Sequence, residues 1–228
     1  MCGIFGSKDY KRYIALYAKN KKRGNFSYGG MFIDNKLHAV VKTKGTFSFT
    51  GKPAIELKNK KPMPLSSFKN YLGHTQAPTS SQRQYDHNTT HPFNEKDWYV
   101  AHNGVLTNHE ELRKQLKKYR SVNEVDSSVI PALIYSFCNK STKEVQCICN
   151  ALSLLKGTFG LWIYNSRSGN VYLARSGSTV YADYITNDFS STPFSKFKPL
   201  DEGTLFLQTA EGLTSVGEFK PNSPFFTA

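Results

Sequence analysis

What most restricts this chain is a set of short apolar segments joined by tight-turn residues. Asp34-Asn35 separates Tyr28–Ile33 from Lys36–Thr43. Ser168-Gly169-Asn170 separates Gly157–Asn165 from Val171–Arg175, and Glu211-Gly212 closes a last hairpin. Short turns of Asn, Asp and Gly join antiparallel neighbours, because these residues accept the positive φ that such turns need. A parallel pairing would need a crossover of a dozen residues or more, so it is excluded for these segments. Further strand segments are Cys2–Gly6, Thr46–Phe49, Tyr71–Thr75, Trp98–His102, Val180–Ile185, Thr204–Gln208 and Thr214–Val216.

Helical periodicity fills the intervals. Lys8–Lys19 puts Tyr10, Tyr13, Ile14, Tyr17 and Ala18 on one face, which predicts an amphipathic helix ended near Gly24. Asn108 is placed to cap a helix reaching Tyr119, with Glu110 and Glu111 in its first turn. Ser127–Asn139 and Lys143–Leu155 are two more helical patterns. Strands with one helix, then helices, then hairpins predict an α+β protein with helices packed on antiparallel sheet. A length of 228 residues suits one domain, 1–228. Residues 50–70 read as irregular structure and not as a linker. Gln76–Phe93 reads as a long polar loop, and loops of this length are commonly functional.

Composition narrows the class. Hydrophobic residues at 39% and aromatics at 14% can fill a substantial core. A net charge of +13 suits an acidic partner, either nucleic acid or an acidic protein. The lysine runs Lys19–Arg23 and Lys52–Lys69 lack regularly interleaved aromatics, so a solvated basic surface explains them as well. Cys2, Cys138, Cys147 and Cys149 form no CxxC pair and no Cys/His set with zinc-finger spacing, so no metal is expected. No signal peptide and no membrane-length apolar run is visible. The expected compartment is the reducing cytoplasm.

The start, Met1-Cys2-Gly3-Ile4-Phe5-Gly6, carries the chemistry. With Met1 removed, Cys2 would bear a thiol of pKa about 8.5 beside an α-amine of about 7.7–8.0. One residue would then supply both a nucleophile and its base. By position alone, Cys2 reads first as a small buried residue opening a strand.

Three segments read together resemble the class II glutamine amidotransferases, the N-terminal-nucleophile glutaminases. They are MCGIFG, the stretch from Gly73-His74-Thr75 to His91-Pro92-Phe93, and His102-Asn103-Gly104-Val105-Leu106-Thr107-Asn108-His109-Glu110-Glu111-Leu112. Arg23-Gly24, Asp126–Ile130, Leu154–Ile163 and Leu173–Ser178 extend the resemblance over nearly the whole chain. It implies a four-layer αββα sandwich, the N-terminal-nucleophile hydrolase fold, with no cofactor. It implies that Cys2 attacks the side-chain amide of L-glutamine, giving a thioester, ammonia and then glutamate. Asn103 and Gly104 match the oxyanion donors, one by its side-chain NH₂ and one by its backbone N–H. Asp126 matches the acid that pairs with the substrate α-ammonium, although Asp is also a common helix cap. Thr79 and His91 fall on pocket positions, and Arg23 on an arginine near the site.

One departure matters. The family carries Arg directly after Gly-His-Thr to hold the substrate α-carboxylate, and here that position is Gln76. A neutral amide offers no charge and a poorer fork than a guanidinium. Arg83, farther along the same loop, is the candidate replacement. The leading expectation is a stand-alone glutaminase passing ammonia to a separate synthetase. An amidase for a different amide, and a binding module without turnover, are the alternatives.

Overall fold

Two antiparallel sheets stack face to face, and helices cover their outer faces. The computed structural model describes residues 1–35, 37–51, 53–55, 61–77, 85–138 and 143–222. The chain opens with β1 (Gly3–Ser7), α1 (Tyr10–Asn20), β2 (Ser27–Asp34), β3 (Leu37–Lys44), β4 (Ala54–Ile55), β5 (Met63–Pro64) and β6 (Asn70–Gln76). It continues through β7 (Phe93–Glu95), β8 (Trp98–Leu106), α2 (His109–Leu116), α3 (Val129–Cys138) and α4 (Glu144–Leu152). Then come β9 (Gly157–Asn165), β10 (Val171–Ser176), β11 (Tyr181–Ala182), β12 (Phe189–Ser190), β13 (Lys198–Pro199), β14 (Thr204–Gln208) and β15 (Leu213–Glu218). The first sheet has the order β13-β11-β12-β1-β6-β2-β3, the second β15-β14-β10-β9-β8-β7, and β4 and β5 form a small ribbon.

Strand alternation assigns each side chain to a layer. In β1, Ile4 faces the inter-sheet core with Met31, Leu72, Trp162 and Leu173. Its neighbour Phe5 faces α1 with Tyr13, Tyr17, Tyr28, Phe32 and Tyr71. Leu161 and Ile163 of β9 turn the other way, toward Leu112, Ile130, Leu133, Ile148 and Leu152 of the three later helices. The order of layers is therefore α1, sheet, sheet and α2–α4, the expected αββα sandwich. Trp162 is fully buried, and its indole Nε1 donates to Gly73 O of the opposite sheet at 3.1 Å. Burying a large side chain of this kind stabilises the fold by about 1.5–3 kcal/mol.

The structure corrects several local readings. The buried stripe of α1 is Tyr13, Leu16, Tyr17 and Asn20, while Ala18 is exposed. The polar Asn20 belongs inside because its Nδ2 donates to Leu16 O and Ser190 Oγ. Thr46–Phe49 is not a strand. Phe47 N donates to the Tyr17 hydroxyl, and the Phe47 and Phe49 rings pack on Tyr28 and Tyr17. In the first hairpin Asp34 pairs with Leu37, so the turn lies one residue later than Asp34-Asn35, with Asn35 at φ 53°. Asn108 makes no side-chain cap to α2. Its amide instead clips the loop before β9, donating to Leu154 O and accepting from Lys156 N.

Candidate active site

Both ends of β1 are fixed by the ladder, and Cys2 stands just ahead of it. β1 pairs with β6 from Gly3↔Thr75 to Ser7↔Tyr71, so the start of β1 adjoins the end of β6, where Gln76 lies. Cys2 is half-buried. Its carbonyl accepts from Arg23 Nε at 2.9 Å, and Arg23 Nη1 reaches Ser191 O at 3.4 Å. The Met1 α-ammonium donates to Arg23 O at 3.2 Å. Burial lowers the Arg23 guanidinium pKa, while the Cys2 thiol and Tyr181 phenol favour its charged form. Arginine stays cationic under these conditions, so a fixed positive charge sits beside Cys2.

Asn103 and Gly104 do not follow a strand as a turn. They lie inside β8, opposite Gly160 and Phe159 of β9. Asn103 is 4% exposed, and its Nδ2 donates to Ser178 Oγ at 3.0 Å and Ser191 Oγ at 3.2 Å. Gly104 has φ +152°, and a Cβ there would run into Thr158 O. Glycine is therefore required twice over, by backbone angle and by space. Ser191 ties this strand to the first sheet, because its Oγ also accepts from Ile4 N at 3.0 Å and its N donates to Ile4 O. Ser191 thereby links Asn103 of β8 to Ile4, two residues after the nucleophile candidate Cys2.

Asp126 opens a 3₁₀ turn that leads into α3. Its Oδ2 accepts from Leu106 N at 3.0 Å, and its Oδ1 accepts from Ser127 N at 2.7 Å and Ser127 Oγ at 3.0 Å. Burial raises the carboxyl pKa, but nearby His102 and these donors outweigh it, and the net shift is downward. His102 Nδ1 lies 2.8 Å from Ser127 Oγ and 3.9 Å from Asp126 Oδ2. The carboxylate side chain remains 23% exposed, so an ionised acceptor held in a fixed seat keeps partial access to solvent.

Gln76 is different. It is 2% exposed, its Oε1 accepts from Ser27 Oγ at 2.8 Å, and its Nε2 reaches Thr89 O at 3.5 Å. Thr90 Oγ1 donates to Ser27 Oγ at 3.3 Å. The amide is thus tied into a neutral network between β2 and the loop before β7. His91 is buried, with its ring 3.9 Å from that of His74, whose Nε2 bonds His102 O at 3.0 Å. A Cβ on Gly29 would run into His91 O, so β2 can approach this loop only through a glycine. Thr79 and Arg83 lie outside the described residues.

Sequence reasoning therefore named Cys2, Asn103, Gly104, Asp126, Gln76, His91 and Arg23, which gather at one end of the sandwich around β1, β6 and β8. It missed Ser191, Ser178, Ser127 and His102 as partners. Ser178 and His102 stood inside quoted segments without a role. Ser191 follows a two-residue strand too short to show any period. Among the described residues no group of three or more His, Cys, Asp or Glu is arranged to hold a metal. No described helix is long and apolar enough to cross a membrane.

Comparisons with known proteins bear on this geometry. A family profile described as a glutamine amidotransferase domain matches residues 81–195, about half of the chain. The chain is 28% identical over 220 residues to the glutamine–fructose-6-phosphate aminotransferase of Francisella tularensis, covering 90% of this chain and 35% of that protein. It thus spans about a third of the length of that curated relative. The glutamine phosphoribosylpyrophosphate amidotransferase of B. subtilis shares the fold at TM-score 0.68 and 20% identity, over 96% of this chain and 49% of that one. A glutamine aminotransferase class-II domain protein from Silicibacter pomeroyi matches at TM-score 0.57 and 16% identity, over 96% and 99% of the two chains. The chain belongs to the glutamine amidotransferase domain family, and its αββα sandwich is the fold it shares with these solved amidotransferases.

Proposed function

We propose that this domain hydrolyses L-glutamine to L-glutamate and ammonia through a thioester on Cys2, and that the ammonia passes to a separate synthetase partner. Removal of Met1 exposes the Cys2 α-amine. That amine, directly or through a water, takes the thiol proton, and the thiolate attacks the γ-amide carbon. Asn103 Nδ2 and Gly104 N–H stabilise the oxyanion. The α-ammonium returns that proton to the amide nitrogen, collapse of the oxyanion breaks the C–N bond and releases ammonia, and water, losing a proton to the amine, then attacks the thioester to free glutamate and restore the thiol. Asp126 binds the substrate α-ammonium. Arg23 holds the Cys2 carbonyl, and Thr79 and His91 contribute to the pocket. A thiol that must stay reduced suits the cytoplasm. The net charge of +13 suits an acidic partner surface, with nucleic acid the less favoured form of it.

The observation that carries this reading is the Ser191 bridge, which brings the Cys2 segment beside Asn103. The test is glutamate release from glutamine by wild type and Cys2→Ala, with intact mass confirming loss of Met1. We expect release from wild type and a fall of roughly 10⁴-fold or more in the variant, the scale of losing a nucleophile. No release from wild type with a free Cys2 amine would sink the reading.

A second reading is favoured by Gln76. Its neutral amide is bonded to Ser27 and reaches Thr89 O, which leaves the α-carboxylate without the family's cationic partner. The substrate would then be a carboxamide that lacks this carboxylate, attacked by the same Cys2 chemistry. Higher kcat/KM on such an amide than on glutamine would decide for it.

A further inference from the structure

The hydrogen-bond inventory of Asn103 points beyond its family role. A side-chain amide nitrogen has two hydrogens, and here Asn103 Nδ2 gives them to Ser178 Oγ at 3.0 Å and Ser191 Oγ at 3.2 Å. A donor with both hydrogens committed cannot serve an oxyanion until one is released. The two serines are not equivalent. Ser191 is 1% exposed, and its Oγ also accepts from Ile4 N. Two N–H donors fill both acceptor sites of that hydroxyl. Its backbone N donates to Ile4 O, and its carbonyl accepts from Thr179 Oγ1 and Arg23 Nη1. Shifting Ser191 would break contacts to β1, to Arg23 and to the loop after β10 together. Ser178 is half-buried in that loop, and its carbonyl is held by Arg175 Nη1 at 3.2 Å.

We infer that Ser191 is the positioning residue that anchors the Asn103 amide against the Cys2 strand, and that Ser178 is a placeholder whose hydroxyl occupies the donor until the oxyanion displaces it. This rests on the glutaminase reading above. Asn103 keeps its bond to Ser191 throughout and exchanges only the Ser178 bond for the oxyanion. The two serines, bound to one nitrogen, therefore have opposite effects on turnover.

The experiment measures kcat and KM for glutamine in Ser191→Ala, Ser178→Ala and each combined with Asn103→Ala. Ser191→Ala is expected to lower kcat tenfold or more, with KM held within about twofold, because the loss falls on the transition state. Ser178→Ala is expected to raise kcat by roughly two- to tenfold, the range of one neutral hydrogen bond no longer being broken. In the Asn103→Ala background both effects should vanish, since groups acting through one atom are not additive. A fall in kcat for Ser178→Ala, or an undiminished Ser191→Ala effect without Asn103, overturns the proposal. Side-chain amide hydrogen exchange at Asn103 gives a readout that needs no substrate. Protection retained in Ser191→Thr and lost in Ser191→Ala supports the anchor, and equal protection in both overturns it. If wild type with a free Cys2 amine releases no glutamate, the glutaminase reading fails, while the exchange measurement still decides whether Ser191 holds the amide.

Discussion

The two ends of the candidate glutamine site are built differently. At the amide end, Asn103 and Gly104 sit inside β8, and Asn103 is fixed by Ser178 and Ser191. At the proposed amino-acid end, Asp126 is a partly exposed carboxylate held by Leu106 N–H and Ser127, and Gln76 is a buried neutral amide tied to Ser27. The first end is set by backbone ladders and buried hydroxyls before any ligand arrives, which is what electrostatic stabilisation of an oxyanion needs. The second offers one committed charge and no committed countercharge among the described residues that the hydrogen bonds identify. Chemistry at the amide is therefore more tightly built than selection of the molecule that carries the amide.

The largest expected effects test the amide end. Asn103→Ala should lower kcat by roughly 10²–10³-fold with a small change in KM, as expected for a donor used in the transition state. Gly104→Ala should be at least as damaging and should also lower the unfolding temperature, because its Cβ meets Thr158 O at a φ that other residues rarely adopt. A Gly104→Ala protein with normal stability and normal kcat would break the comparison at its stronger side.

Asp126→Asn comes next. KM for glutamine should rise about tenfold or more through loss of a charge-assisted contact, while an amide lacking the α-amine should be unaffected. The same variant has a pH signature. The Asp126 carboxyl lies below its ordinary value in the folded protein. Its contribution to stability is fully present above about pH 3.9, the unperturbed carboxylate value, and is lost as pH falls through the lower folded value. Unfolding followed against pH should show this acid limb in wild type and a reduced one in Asp126→Asn.

The same contrast governs what the sequence could reveal. Asn103, Gly104 and Asp126 were named through the family resemblance, since by residue type alone an Asn-Gly pair also suits a turn and an Asp also suits a helix cap; their roles are proposals. The hairpins were legible because turn chemistry fixes antiparallel pairing. Ser191 and Ser178 were not legible, since a serine hydroxyl has no periodicity and its role depends on which strands meet. β12, which delivers Ser191, is two residues long and leaves no pattern. The stripe of α1 was misread at Ala18 and Asn20 because Asn20 is buried on the strength of hydrogen bonds and not hydrophobicity. Local pattern specifies elements, and partners across layers specify the site.

Arg83 carries a smaller expected effect. If it supplies the charge that Gln76 lacks, Arg83→Ala should raise KM for glutamine about tenfold, the scale of one charged contact. A normal KM would leave the α-carboxylate without a cationic partner at this position and would favour the alternative amide substrate.

The smallest expected effect is the most discriminating for Gln76. Its Oε1 accepts from Ser27 Oγ and one Nε2 hydrogen is directed to Thr89 O, so the side chain is expected to brace the pocket wall more than to bind the ligand. Gln76→Ala should leave KM within about threefold and cost about 1–3 kcal/mol, the penalty for orphaning a buried partner. For a chain of this size that is a drop of roughly 2–4 °C in unfolding temperature per kcal/mol. The opposite pattern, unchanged stability with a tenfold rise in KM, would mean that Gln76 leaves Ser27 to meet the carboxylate. The amino-acid end would then be organised by the ligand itself, and the contrast would be one of timing: donors fixed in advance at the amide, donors recruited on binding at the other end.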